Sequence, residues 1–223
     1  MVEGSDYEPG DRIPSERELA DRLGVSRVTV RRAIEDLTRL GLLERRSTSG
    51  TYVRNPSFLR DVGGPAQGLS QRLRAAGEPS SRLISFQTTS ASRKIAQRLG
   101  LSLGAPVVLS RRLRLVNGQP VSLESSYLPQ MRVPGLAAAD LLEGSLYQIL
   151  RERYGIAIGP SDDILNLSWA APDEAELLGL PADSPVLLLR STVADAAGQP
   201  IEYLVSVNHP ERVAFHVVGD PRQ

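Results

Sequence analysis

Ser26-Arg27-Val28-Thr29-Val30-Arg31-Arg32-Ala33-Ile34-Glu35-Asp36-Leu37-Thr38-Arg39-Leu40-Gly41 predicts an amphipathic helix. Val30, Ala33, Ile34, Leu37 and Leu40 recur at the i, i+3, i+4, i+7 spacing that gathers apolar side chains on one stripe, with Ser26 and Gly41 as stops at the two ends. Arg27 and Arg31 flank that stripe, and Val28, Arg32 and Arg39 point away from it, so basic groups collect on the outer face and near the N-terminus. A lone arginine-rich helix is ordinarily a solvated surface. The neighbours of this one give it a different meaning.

Upstream, Pro14-Ser15-Glu16-Arg17-Glu18-Leu19 opens a shorter helix in which Ser15 and Glu18 form a capping box and Ala20 and Leu23 continue the apolar side. Gly24-Val25 turns the chain into Ser26. A short helix, a glycine-containing turn and a second helix with basic N-terminal residues make a helix-turn-helix, whose second helix enters the major groove of DNA. Downstream, Leu42 to Arg46 and Thr51 to Arg54 flank the turn Ser47-Thr48-Ser49-Gly50, which reads as a β-wing.

The 223 residues suffice for two modest domains, 41% of them are hydrophobic, and there is neither a membrane-length apolar run nor a signal-peptide pattern. With no cysteine, disulfide and thiolate chemistry are excluded, and a cytoplasmic setting is the default expectation. The 26 basic and 26 acidic residues balance overall but not locally. Residues 1–25 carry three arginines against seven acids, and residues 26–54 carry seven against three, which concentrates positive charge where phosphates would lie.

Tyr7-Glu8-Pro9-Gly10, Pro14-Ser15-Glu16-Arg17-Glu18-Leu19-Ala20, Gly24-Val25-Ser26-Arg27, Thr29-Val30-Arg31-Arg32-Ala33 and Gly50-Thr51-Tyr52-Val53, in this order, closely resemble the winged helix-turn-helix of GntR-type bacterial repressors. The resemblance implies that double-stranded operator DNA is contacted by Arg17, Ser26, Arg27, Val28, Thr29, Arg31, Arg32, Thr48 and Gly50. The family has a full helix ahead of the Gly-x-Tyr-x-Pro-Gly segment, where here only Met1 to Glu3 could contribute, and Thr48 stands where the family's wing usually has its first glycine. Boundaries follow: residues 1–58 form the DNA-binding domain, 59–65 a linker punctuated by Pro and Gly, and 66–223 a second domain, with a short helix over Leu69 and Leu73 ending at Gly77.

The second domain repeats itself. Leu99-Gly100-Leu101 and Pro106-Val107-Val108-Leu109 recur as Leu178-Gly179-Leu180 and Pro185-Val186-Leu187-Leu188, an offset of 79 residues, and Gly118-Gln119-Pro120-Val121 recurs as Gly198-Gln199-Pro200-Ile201. Each copy reads strand, helix, strand, polar turn, strand, which predicts a pseudo-symmetric antiparallel sheet with one helix per repeat. Ser145 to Tyr154 adds a helix between the copies. The fold class is α+β in two domains.

Arg112-Leu113-Arg114, Gly118-Gln119-Pro120, Glu124-Ser125-Ser126-Tyr127-Leu128-Pro129, Gly144-Ser145-Leu146-Tyr147 and Gly198-Gln199-Pro200-Ile201-Glu202-Tyr203 resemble the UTRA effector-binding domain, which is chorismate-lyase-like, of the HutC branch of GntR regulators. That resemblance implies a homodimer, a small-molecule effector controlling DNA affinity, and an effector site formed by Thr88, Thr89, Arg112, Arg114, Glu124, Tyr127, Ser145 and Tyr203. Strand alternation alone puts Arg112 and Arg114 on one face. Whether Glu124 joins them depends on the turn: a two-residue loop at Asn117-Gly118 would set Arg112 opposite Leu123, and a three-residue loop with a glycine bulge would bring Glu124 across, which is the expectation adopted.

No catalytic residues, cofactor or metal are expected. His209 and His216 have no cysteine or carboxylate pattern around them that makes a ligand set, Trp169 reads as core, and no phosphate-cradling loop or nucleophile elbow occurs. Two other readings accompany the regulator: a dimeric DNA-binding protein blind to effectors, and a chorismate-lyase-like enzyme.

Overall fold

The computed structural model describes residues 7, 10–39, 42–46, 49–53, 58–62, 78–143 and 145–217. The chain divides into two units, Met1–Pro56 and Ser57–Gln223.

In the first unit α1 (Glu16–Leu23) starts on the capping box that the sequence predicts: Ser15 Oγ accepts from the Glu18 amide at 3.3 Å, and Glu18 Oε2 accepts from the Ser15 amide at 2.8 Å. It stops at Gly24, whose φ of 65° is left-handed and available to glycine without a Cβ clash. After two further residues α2 (Arg27–Arg39) begins, with Ser26 Oγ accepting from the Thr29 amide at 3.1 Å. Strands β1 (Leu43–Arg46) and β2 (Gly50–Val53) form the wing hairpin, with Leu43 opposite Val53 and Arg46 opposite Gly50. Residues 10–13 run along the other edge of β2, through Ile13 N–H to Thr51 O and Val53 N–H to Asp11 O. Ile13, Leu19, Ala20, Val30, Ile34, Leu43 and Val53 form the core, with Tyr7 and Leu37 against it.

Two of the expected apolar positions stay outside that core. Ala33 is exposed because it lies about 100° around the helix from Ile34, off the sector shared by Val30, Ile34 and Leu37. Leu23, the last residue of α1, is 52% exposed. Leu40, Gly41 and Thr48, the helix expected over Leu69 and Leu73, and the residues before Tyr7 lie outside the described residues.

The second unit begins earlier than expected. Residues 58–62, most of which were assigned to a linker, form β3 (Phe58–Val62), which pairs in parallel with the C-terminal β10 (Val213–Val217). The main sheet contains β4 (Pro79–Ser90), β5 (Pro106–Val116), β6 (Gln119–Pro129), β7 (Ile158–Trp169), β8 (Pro185–Asp195) and β9 (Pro200–Asn208), in the order β4-β5-β6-β9-β8-β7. Every neighbouring pair is antiparallel. With α3 (Arg93–Leu99) between β4 and β5 and α6 (Pro172–Leu178) between β7 and β8, the sequence repeat becomes two copies of strand, helix, strand, strand joined along β6 and β9.

Both repeat helices cover one face of the sheet: Ala96 and Leu99 of α3 pack with Val107 and Tyr203, and Ala175 and Leu178 of α6 with Leu113, Leu123 and Val207. The other face carries α5 (Leu146–Tyr154), whose Leu146 and Leu150 join Val108, Leu128 and Val193, while the short α4 (Asp140–Glu143) contributes Leu141. Leu128 and Leu150 are fully buried, and each such leucine contributes about 1.5–3 kcal/mol. Trp169 is not core: at the end of the edge strand β7 it is 65% exposed.

Candidate nucleic-acid interface and ligand site

The outer face of α2 presents Arg27, Val28, Thr29, Arg31 and Arg32, all exposed, with Val28 at 77%. An exposed valine on a helix otherwise lined with arginine suits contact with a thymine methyl. Ser26 and Thr29 hydroxyls lie 2.8 Å apart at the helix start, next to amide groups that favour an anion. Arg17 is exposed on α1.

The sequence reading missed Glu16. Its carboxylate accepts from Arg31 Nε at 3.1 Å and Nη2 at 3.0 Å, and from Arg45 Nη2 of the wing at 3.3 Å. The hydrogen bond from Arg31 holds the Glu16 carboxyl below its usual pKa, with the charges of Arg31, Arg45 and Arg27 adding to it. One acid on α1 thus orients a recognition-helix arginine and a wing arginine together. Gly50 has an internal role as well: at its φ of 117°, an added Cβ would sit 2.9 Å from Arg12 Nε.

In the second unit the sheet face toward α5 holds a buried polar cluster. Arg112 lies opposite Glu124 and Arg114 opposite Ser122, and across β6 and β9 Ser122 lies opposite Asn208 and Glu124 opposite Ser206. Arg112, Arg114, Glu124, Ser110, Ser122, Ser126, Ser206, Asn208 and Glu202 are all buried. Arg112, Arg114 and Glu124 share a face, as expected, but by a different device. The hairpin loop has two residues, Asn117 and Gly118 at φ 50° and 73°, and the register slips afterwards, between Arg114 and Leu115, leaving Val121 as the extra residue. Pro120 explains the position, since it has no N–H to offer the ladder. The second repeat does the same after Pro200: Val193 faces Glu202, Ala194 faces Pro200, and Ile201 is extra.

Three of the expected effector residues, Tyr127, Tyr203 and Thr89, lie on the opposite face. Tyr127 and Tyr203 lie opposite each other with ring centroids 6.1 Å apart, but on the α3 face, where Tyr203 packs with Val107 and Ala96. Tyr127 is an odd number of residues from Glu124, so pleat alternation sends it to the other side. Thr88 aligns with Val108, on the face of the cluster, and is exposed; Thr89 aligns with Val107, on the opposite face. Ser145 precedes α5 as its N-cap without a side-chain cap bond, half-buried.

Two charged residues absent from the expected set belong to the cluster, beside its serines and Asn208. Arg60, from β3, is buried and donates through Nη1 to Ser206 Oγ at 3.1 Å, to Glu124 Oε1 at 3.4 Å and to Asn208 Oδ1 at 3.5 Å. Glu202, one residue before Tyr203 and so on the other face, accepts from Tyr147 Oη at 2.8 Å. Burial raises the Glu202 pKa against the opposing pull of hydrogen bonds from Ser126 and Tyr147, and the nearby Glu124 charge raises it further. Burial and Glu202 together push the Tyr147 phenol well above its usual value. Burial also pulls the Arg114 guanidinium down to about 10, with Arg112 and Arg60 adding repulsion and Glu124 opposing them.

Three guanidiniums therefore meet two carboxylates, one of them biased toward its neutral form. Among the described residues, Arg112 Nε and Nη1 and the Ser110 and Ser122 hydroxyls have no hydrogen-bond partner although buried. No group of three His, Asp or Glu residues among the described ones could hold a metal ion, and no helix among them is long and apolar enough to cross a membrane.

A basic winged helix-turn-helix on one unit and a buried, cationic, donor-rich cluster on the other define a ligand-responsive DNA-binding protein. Residues 1–53 match the family of bacterial regulatory proteins of the gntR type, residues 74–214 match the UTRA domain, and the chain belongs to the GntR family of transcriptional regulators that carry this effector domain. It is 37% identical over 93% of its length to the HTH-type transcriptional regulator Rv0792c of Mycobacterium tuberculosis, covering 77% of that protein. It is 31% identical over 96% of its length to the HTH-type transcriptional repressor NagR of Bacillus subtilis, covering 88% of it. The crystal structure of PhnF from Mycobacterium smegmatis superposes with a TM-score of 0.71 at 31% identity, covering 97% of this chain and 95% of that one. These relatives are regulators, and the chain is a DNA-binding regulator rather than an enzyme.

Proposed function

We propose that this protein is a transcriptional repressor that binds a near-palindromic operator as a homodimer and whose affinity is set by a small anionic metabolite, such as a phosphorylated sugar. The repressor reading is supported by the names of NagR and of PhnF from Mycolicibacterium smegmatis, both described as transcriptional repressors, at 31% and 34% identity. DNA contact is assigned to Arg17, Ser26, Arg27, Val28, Thr29, Arg31 and Arg32, with Gly50 and the wing beside them. A base-reading arginine is worth about 1–3 kcal/mol of discrimination.

The observation that carries the effector reading is the excess of buried donors around Arg112. Unsatisfied buried donors are costly, and a multidentate anion satisfies several at once. Arg112 and Arg114 would hold the anionic group, Glu124 would accept from sugar hydroxyls, and Ser145 and Thr88 lie on the same side. The same donors speak against a second domain that only assembles the protein.

Self-association is supported by β7, an edge strand with Leu167 and Trp169 each 65% exposed. An exposed apolar edge is a natural place for strand pairing with a second copy. Calorimetry with glucose 6-phosphate, glucosamine 6-phosphate, inorganic phosphate and uncharged sugars, repeated on Arg112→Ala, tests the effector reading. Undiminished binding of an uncharged sugar to Arg112→Ala would defeat it. Light scattering of the full chain and of Leu167→Glu/Trp169→Glu tests the dimer, which the double variant should lose.

A further inference from the structure

Arg60 differs from the other two guanidiniums of the cluster in where its backbone is held. Arg112 and Arg114 lie on β5, with ladders to β4 on one side and β6 on the other. Arg60 lies on β3, whose five residues pair, among the described residues, with the five of β10 alone. A short two-stranded ladder is a marginal structure and among the first to shift when a tether changes. β3 also starts two residues beyond Pro56, the last residue of the DNA-binding unit.

The side chain of Arg60 ties that strand to the cluster. A single nitrogen, Nη1, faces three acceptors, Ser206 Oγ, Glu124 Oε1 and Asn208 Oδ1, with only two hydrogens to give. Its guanidinium carbon lies 6.0 Å from the Phe215 ring centroid of β10, so the same group spans the sheet cluster and the strand pair. An anion beside Arg112 would repel the Glu124 carboxylate and attract the Arg60 guanidinium, changing which acceptors it keeps.

We infer that Arg60 is a positioning residue through which occupancy of the cluster reaches the DNA-binding unit: its contacts with Glu124, Ser206 and Asn208 fix β3, and a bound anion redistributes them. The inference rests on the anionic-effector reading above, and it differs from that reading in assigning the signal to one side chain. A ligand can shift the two states only through contacts that differ between them, and Arg60 supplies such contacts.

The test uses the full chain and an operator selected by the wild-type protein from a random-sequence pool. Without any anion, Arg60→Met should change operator Kd by about fivefold or more, the lower end of ordinary coupling between sites. Arg132→Met, which breaks the ion pair with Asp195 elsewhere in the second unit, should change it by less than about twofold, and Arg60→Lys should recover most of the difference. Thermal unfolding checks that the variants are folded, and Arg60→Gln replaces Arg60→Met if that variant is not. In a second arm, a phosphosugar that binds wild type by calorimetry should still bind Arg60→Met but no longer alter its operator affinity. An Arg60→Met operator Kd that moves no more than that of Arg132→Met, or a retained response to the bound sugar, overturns the inference. If none of the phosphosugars binds wild type, the effector reading fails, and the anion-free comparison still decides the role of Arg60.

Discussion

Glu124→Gln removes one negative charge from a buried cluster and little else, since Gln keeps the shape and one acceptor oxygen. The side chains of Arg60 and Glu124 are only 9% and 5% exposed, so solvent screens the pair weakly. Breaking a buried pair by removing one partner costs about 3–5 kcal/mol, and because Gln can still accept from Arg60 the lower end, about 3 kcal/mol, is expected. An exposed pair would be worth about 0–1 kcal/mol. For a domain of this size each kcal/mol moves Tm by roughly 2–4 °C, so the second unit should melt about 6–12 °C lower. Calorimetry of the full chain, with and without sodium sulfate, is the assay. Sulfate should restore more stability to Glu124→Gln than to wild type, because the variant has a larger uncompensated positive charge, and binding to the folded state alone raises its stability. A Tm within about 2 °C of wild type, unchanged by sulfate, would refute the reasoning.

Three other outcomes are expected. Arg31→Ala and Arg27→Ala should each weaken operator binding by about 1–3 kcal/mol in titrations, and Glu16→Gln should weaken it less while leaving the helix intact by circular dichroism, because it frees Arg31 and Arg45 without removing them. Gly50→Ala, at a φ of 117° beside Arg12, should destabilise the wing by about 1–3 kcal/mol, read from the melting of the first unit and from operator affinity. Glu202 has a raised pKa when folded, so its contribution to stability is present below the unfolded value of about 4.3 and is lost as pH rises through the folded value. Wild type should therefore lose stability relative to Glu202→Gln as pH rises above about 4.3, and a pH-independent difference in Tm would count against this.

The helix-turn-helix was legible because its determinants are local: a capping box, a left-handed glycine and a short apolar stripe each act within a few residues. The pseudo-symmetric sheet was legible because the chain states it twice. Within the ligand site, alternation correctly paired Arg112 with Arg114, and Glu124 came to face them through a bulge at Val121 rather than a longer loop. Pro120 was visible in the sequence and could have pointed to that bulge. Tyr127 and Tyr203 were carried over by resemblance without applying the same alternation, which puts them on the opposite face. Arg60 left no such signal, being 64 residues from Glu124 and 146 from Ser206 in a segment punctuated like a linker. Trp169 looked apolar enough for the core, but a sheet edge has no second strand to cover it.

The matched bulges after Pro120 and Pro200 make the two halves of the sheet superimposable position by position, and that alignment bears on stoichiometry. Arg114 corresponds to Val193, Arg112 to Ser191 and Glu124 to Leu204. The frame is doubled, yet the charges needed to hold an anion occur on one half only, the other having Val193 within its apolar core. On the anionic-effector proposal, a duplicated scaffold of this kind should offer a single binding equivalent per chain, and calorimetric saturation at one anion per polypeptide is the expected stoichiometry.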